Sequence, residues 1–85
     1  MGMTLRSPGH LALLEALREA RIGAELTQAQ LAKRLNRPQS YVAKYENGER
    51  KVEVVEFVQI SAAIGCDPLK IIEVVSAADT AARCM

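Results

Sequence analysis

Apolar residues recur along this chain at helical spacing, and the breaks between the runs are chemically specific. Leu11, Leu14, Leu17 and Arg18 share a face with Ile22 at i, i+3, i+4 intervals, which predicts a first helix over residues 10–21. Ser7, Pro8 and Gly9 mark its start, and Gly23 lies near its end. Thr27 is a good N-cap for a second helix, and Gln30, three residues on, completes a capping-box pattern. Leu31 and Leu35 then stand four apart on one face, with Ala29 and Ala32 as small packing residues. Asn36 tolerates the left-handed conformation that ends a helix sharply. Pro38 belongs at the first turn of a third helix, where its missing N–H does no harm. Val42 and Tyr45 point one way from that helix, and Gln39, Ser40, Ala43, Lys44 and Asn47 fill much of the opposite arc. Asn47 and Gly48 stop it.

Residues 52–64 are more ambiguous. Val54, Val55, Val58, Ile60 and Ile64 are β-branched, so a strand competes locally with a fourth helix. Helix prevails because Val54, Phe57, Val58, Ser61 and Ala62 keep the 3.6-residue period, and no second strand is available to satisfy its backbone. Gly65 is a natural stop. Asp67 then caps a fifth helix that has Pro68 at its first position and carries Leu69, Ile71, Ile72, Val74 and Val75. After Ser76 little apolar mass remains beyond alanine, and fraying is expected.

Five helices in 85 residues make an all-α fold with a single small core. The division expected is an N-terminal arm over 1–8, a domain over 9–76 and a tail over 77–85. Aromatics are few (Phe57, Tyr41 and Tyr45), so the core rests on Leu, Ile, Val and Ala. No apolar run approaches the roughly 20 residues that span a bilayer, and a cytoplasmic location is expected. Cys66 and Cys84 have neither zinc-site nor disulfide-framework spacing, and both are expected to be reduced thiols.

The net charge of +1 hides an asymmetry. Residues 1–32 are balanced. Residues 33–51 hold Lys33, Arg34, Arg37, Lys44, Arg50 and Lys51 against Glu46 and Glu49, a net +4, and residues 52–85 sum to −3. A basic middle and an acidic end orient a molecule toward a polyanion. Enzyme chemistry has little support. His10 is the only histidine and has no carboxylate or thiol partner in motif spacing, and there is no glycine-rich phosphate loop or metal-ligand cluster. Neither cofactor nor metal is expected.

The stretches LREARIGAELTQAQLAKRL, PQSYVAKYENGER and VVEFVQISAAIGCDPLKII resemble, in order, spacing and residue type, the helix-turn-helix domain of the phage repressor and Cro type, the XRE family. The resemblance covers residues 11–75. It implies a five-helix bundle of the lambda-repressor-like type with a central helix-turn-helix. It further implies a dimeric transcription regulator of bacterial or phage origin, associated with the nucleoid, that reads a palindromic operator in double-stranded DNA through a recognition helix over residues 38–47.

The same resemblance distributes roles. Gln39, Ser40, Tyr41 and Lys44 match positions that meet base edges in the major groove, where Gln suits adenine and Lys suits guanine. Tyr41 lies toward the flank and has the core edge as its alternative place. Gln28 matches a residue at a helix N-terminus that abuts a phosphate. Arg37, Asn47, Arg50 and Lys51 are expected on the DNA backbone, setting register without reading sequence. Arg21 and Glu46 match an internal ion pair. Leu69, Ile72 and Val75 are the expected homodimer surface, with plain core as their alternative. Glu25 stands where relatives often carry Gly, and a positive φ there would cost about 1 kcal/mol or more. A competing reading keeps the fold but makes it an antitoxin or protein-interaction module, with a toxin or other protein as partner and DNA binding secondary or lost.

Overall fold

The computed structural model describes residues 7–83 and consists of α1 (Pro8–Gly23), α2 (Gln28–Leu35), α3 (Gln39–Glu46), α4 (Val54–Ile64) and α5 (Pro68–Arg83). Local chemistry sets most boundaries. Ser7 Oγ accepts the His10 N–H at 3.2 Å and starts α1 with Pro8 in its first turn, two residues before the expected start. Thr27 Oγ1 accepts the Gln30 N–H at 3.0 Å while the Gln30 side chain accepts the Thr27 N–H at 2.9 Å, a reciprocal capping box. Asn36 closes α2 at φ 59°, and the Arg37 N–H returns to the Ala32 carbonyl at 2.9 Å. Gly65 closes α4 at φ 92°.

Three later helices also differ from expectation in their bounds. Pro38 is the N-cap of α3, with ψ 154°, and Asn47 is its C-cap, so the helix is one residue shorter at each end than 38–47. The fourth helix begins at Val54, because residues 51–53 are non-helical and lead Val52 into the core. The fifth helix passes the expected boundary at Ser76 and continues to Arg83. It packs lengthwise on α1, the most extensive helix–helix contact of the fold. Gly9 allows the close approach, since a Cβ there would stand 3.1 Å from Asp79. Residues 1–6 of the expected arm, and Cys84 with Met85, lie outside the described residues.

Leu17, Leu31, Val42, Tyr45 and Ile60 are fully buried and join α1, α2, α3 and α4 into one core, which Ile71 of α5 completes. Cys66 is half-buried with a free thiol. Among the described residues no helix is long and apolar enough to cross a membrane, and no cluster of His, Cys, Asp and Glu could hold a metal.

Candidate nucleic-acid interface

The angle between α2 and the end of α3 is held by one buried carboxylate. Glu46 Oε2 accepts the Arg21 Nε–H at 2.7 Å, and Glu46 Oε1 accepts a second Arg21 N–H at 3.1 Å. The third branch of the guanidinium donates to the Leu26 carbonyl at 2.8 Å, across the turn between α1 and α2. This forked geometry suits arginine rather than lysine. The hydrogen bond to Glu46 raises the Arg21 pKa above its ordinary value against the opposing effect of burial. Gln28 adds a third donor, its Nε2 lying 3.0 Å from Glu46 Oε1. The Gln28 side chain, expected at a phosphate, therefore also links α2 to α3.

In front of this brace, α3 has two unlike sides. Val42 and Tyr45 are buried, while Gln39, Ser40 and Lys44 are exposed, and among the described residues none bonds or pairs with these three side chains. Ala43 between them is half-buried and small, which keeps the backbone approachable. Tyr41, expected with them, is placed differently. It is only 8% exposed and packs edge-to-face on Tyr45, with ring centroids 5.7 Å apart and planes at 72°. Its position one residue round the helix from Ser40 turns the ring from the open face toward the α4 side of the core.

The Tyr41 ring also meets two cations. The Arg37 guanidinium carbon lies 4.5 Å from its centroid and that of Arg50 lies 5.0 Å away. Arg50 is further ion-paired to Glu56 Oε2, while Glu56 Oε1 accepts the Glu53 N–H at 3.1 Å at the start of α4. Burial, and then the Glu56 carboxylate, raise the Tyr41 pKa, partly opposed by the two arginines. Glu56 is buried and central to this cluster, yet the sequence reading does not single it out. The available signal was its place three residues after Glu53, legible only once α4 is known to start at Val54.

Asn47 and Lys51 are exposed at the end of α3 and in the following loop. Lys51 is also near His10, whose pKa is lowered first by burial and then by that charge. Arg34 is turned elsewhere, donating to the Ala63 carbonyl at the end of α4 at 2.8 Å. The exposed side of α3 is thus flanked by Arg37 at one end and by Asn47, Arg50 and Lys51 at the other.

A tight α2–turn–α3 pair inside a five-helix bundle, with an outward polar face on the second helix, defines a helix-turn-helix protein. Residues 17–71 match the family model described as helix-turn-helix. A solved structure, described as an XRE-family like protein from Pseudomonas syringae pv. tomato str. DC3000, is similar, with 44% identity and a TM-score of 0.80 over 87% of this chain and 90% of that one. No curated protein matches the chain. The chain belongs to the XRE-type helix-turn-helix family, a family of DNA-binding transcription regulators whose fold is typically non-enzymatic.

Proposed function

We propose that the protein is a sequence-specific regulator that sets α3 in the major groove of a palindromic operator and binds as a homodimer. The observation that carries this reading is the exposed triplet Gln39, Ser40 and Lys44, unengaged within the described residues and backed by the buried Arg21–Glu46–Gln28 brace. Free donors on a rigid helix suit base-edge recognition. Arg37, Asn47, Arg50 and Lys51 set register on the phosphates, and Gln28 lends the first turn of α2 to the same backbone. Tyr41 leaves the set of base contacts, since its ring is buried.

Dimerisation through α4 and α5 is supported by apolar side chains that the single chain leaves uncovered. Leu69 is 70% exposed and Ile72 is 48% exposed, and Val54, Val55 and Val58 of α4 are also open. Val75 is half-buried against the core and contributes less. Apolar exposure of this kind on a small domain marks an interaction surface.

Selection of bound sequences from a random duplex pool, followed by gel shifts across a salt series, tests the proposal. An enriched inverted repeat, bound with an affinity that falls steeply as salt rises, is the expected result. Failure to enrich any sequence, or binding insensitive to salt, would overturn it and leave the protein-interaction module.

A further inference from the structure

Arg37 and Arg50 come from opposite ends of α3, yet both guanidiniums lie over one aromatic ring. Their distances to the Tyr41 centroid put them within about 10 Å of each other, close for like charges. One carboxylate, Glu56, offsets the pair, and its second oxygen is committed to the Glu53 N–H. Two cations around one ring, with one anion beside them, leave a net positive charge in a preorganised place. The ring restrains both flexible side chains, and Glu56 fixes one of them against the rigid start of α4.

Resting on the regulator reading above, we propose that Tyr41 and Glu56 are positioning residues for DNA binding. Tyr41 is the platform and Glu56 the anchor that together present Arg37 and Arg50 as a clamp for the DNA phosphate backbone beside α3. The chemistry is charge-assisted hydrogen bonding from planar guanidiniums to phosphate oxygens, which gains when the side chains are ordered before binding. The clamp contributes affinity and register and no base preference.

The role of Glu56 separates this proposal from simple electrostatics. Removing an acidic group near DNA should tighten binding if charge alone matters. Positioning requires the reverse.

Affinity of the full chain for its selected operator would be measured across a salt series for wild type, Glu56→Gln, Tyr41→Phe, Tyr41→Leu and Arg50→Lys. Thermal melts would establish the folded fraction of each. Glu56→Gln is expected to weaken binding roughly tenfold, although it adds net positive charge. The slope of log affinity against log salt should fall by about 1 per subunit, as if a phosphate contact were lost with every arginine still present. A purely structural role for Glu56 would not move that slope. Tyr41→Phe keeps the ring face but loses the hydroxyl's hydrogen bond to Glu56, so it should retain most of the affinity that Tyr41→Leu loses equally on all sequences. Arg50→Lys leaves the core intact and keeps the charge, yet should lose affinity because an ammonium has no planar face to stack. Glu56→Gln binding as tightly as wild type with an unchanged slope would overturn the proposal, as would Arg50→Lys at full affinity or Tyr41→Phe as weak as Tyr41→Leu. Wild type that fails to bind DNA would remove the regulator reading itself, and this proposal with it.

Discussion

Arg21 and Glu46 are 25 positions apart in the chain and share two hydrogen bonds, at 2.7 and 3.1 Å, with the Glu46 side chain only 3% exposed. The pair joins the last turn of α1 to the last residue of α3. It therefore fixes the angle at which α3 is presented. Arg21→Ala would leave a buried carboxylate without its main partner, and an expected loss of about 3–5 kcal/mol follows. Urea denaturation measures it. The double replacement Arg21→Met with Glu46→Leu removes both charges and should recover a large part of that loss, because burying an ion pair has its own desolvation cost. DNA affinity should not recover in parallel, since the brace on α3 would be gone.

Glu25 adopts φ 60° in the connection between α1 and α2, a left-handed conformation that suits Gly. The residue is exposed, so its side chain has no packing to lose. Glu25→Gly is expected to raise stability by about 1 kcal/mol, after part of the relieved strain is offset by the freer unfolded chain. For a domain of this size the midpoint of a thermal melt should rise by about 4–8 °C. No rise, or a fall, would mean that the turn is not strained by a Cβ.

Much of this architecture was legible because its signals are local. Thr27 with Gln30, Asn36, Gly65, and Asp67 with Pro68 each act within a few residues, and each stands at a helix end. The start of α4 was not, because a buried extended Val52 and a helical Val54 look alike in an apolar pattern. The end of α5 was missed for a related reason. Beyond Ser76 little apolar mass remains to signal a helix, but Gly9 leaves space on α1 for α5 to approach closely at Asp79. At the interface, the exposed Gln39, Ser40 and Lys44 follow from helical phase alone. The Arg37–Tyr41–Arg50–Glu56 cluster does not, because it depends on how the loop after α3 folds back over that helix.

Tyr45 lies in the middle of the core, and among the described residues nothing bonds to its hydroxyl. Burial raises its pKa well above the ordinary tyrosine value near 10, reinforced by Glu46 and Tyr41. In the folded state the proton is therefore held where the unfolded chain releases it. The stability linked to this group is fully present below about pH 10 and is lost as pH rises above that value. Urea midpoints measured from pH 8 to 11 should fall steeply over the upper end of the range. Tyr45→Phe should flatten that fall. It should also add about 1 kcal/mol at pH 7 by removing a buried hydroxyl without a partner. An unchanged alkaline profile in the Phe variant would exclude Tyr45 as its cause.

Lys44 and Lys51 are both exposed, but they occupy different parts of the proposed interface and should fail differently. Lys44 is on the open face of α3, and in the proposed complex its ammonium would donate to the O6 and N7 acceptors of guanine. Lys51 is in the loop beyond α3, where the proposed complex would set it against the DNA backbone. Lys44→Ala is therefore expected to cost about 1–3 kcal/mol on the selected operator and to relax the preference at one position of each half-site. Lys51→Ala should weaken every duplex by a similar factor and lower the salt slope by about 1 per subunit, with the preferred sequence unchanged. Repeating the random-pool selection with each variant distinguishes the two. If Lys44→Ala returned the wild-type sequence logo while Lys51→Ala altered it, the reading face would lie in the loop rather than on the helix.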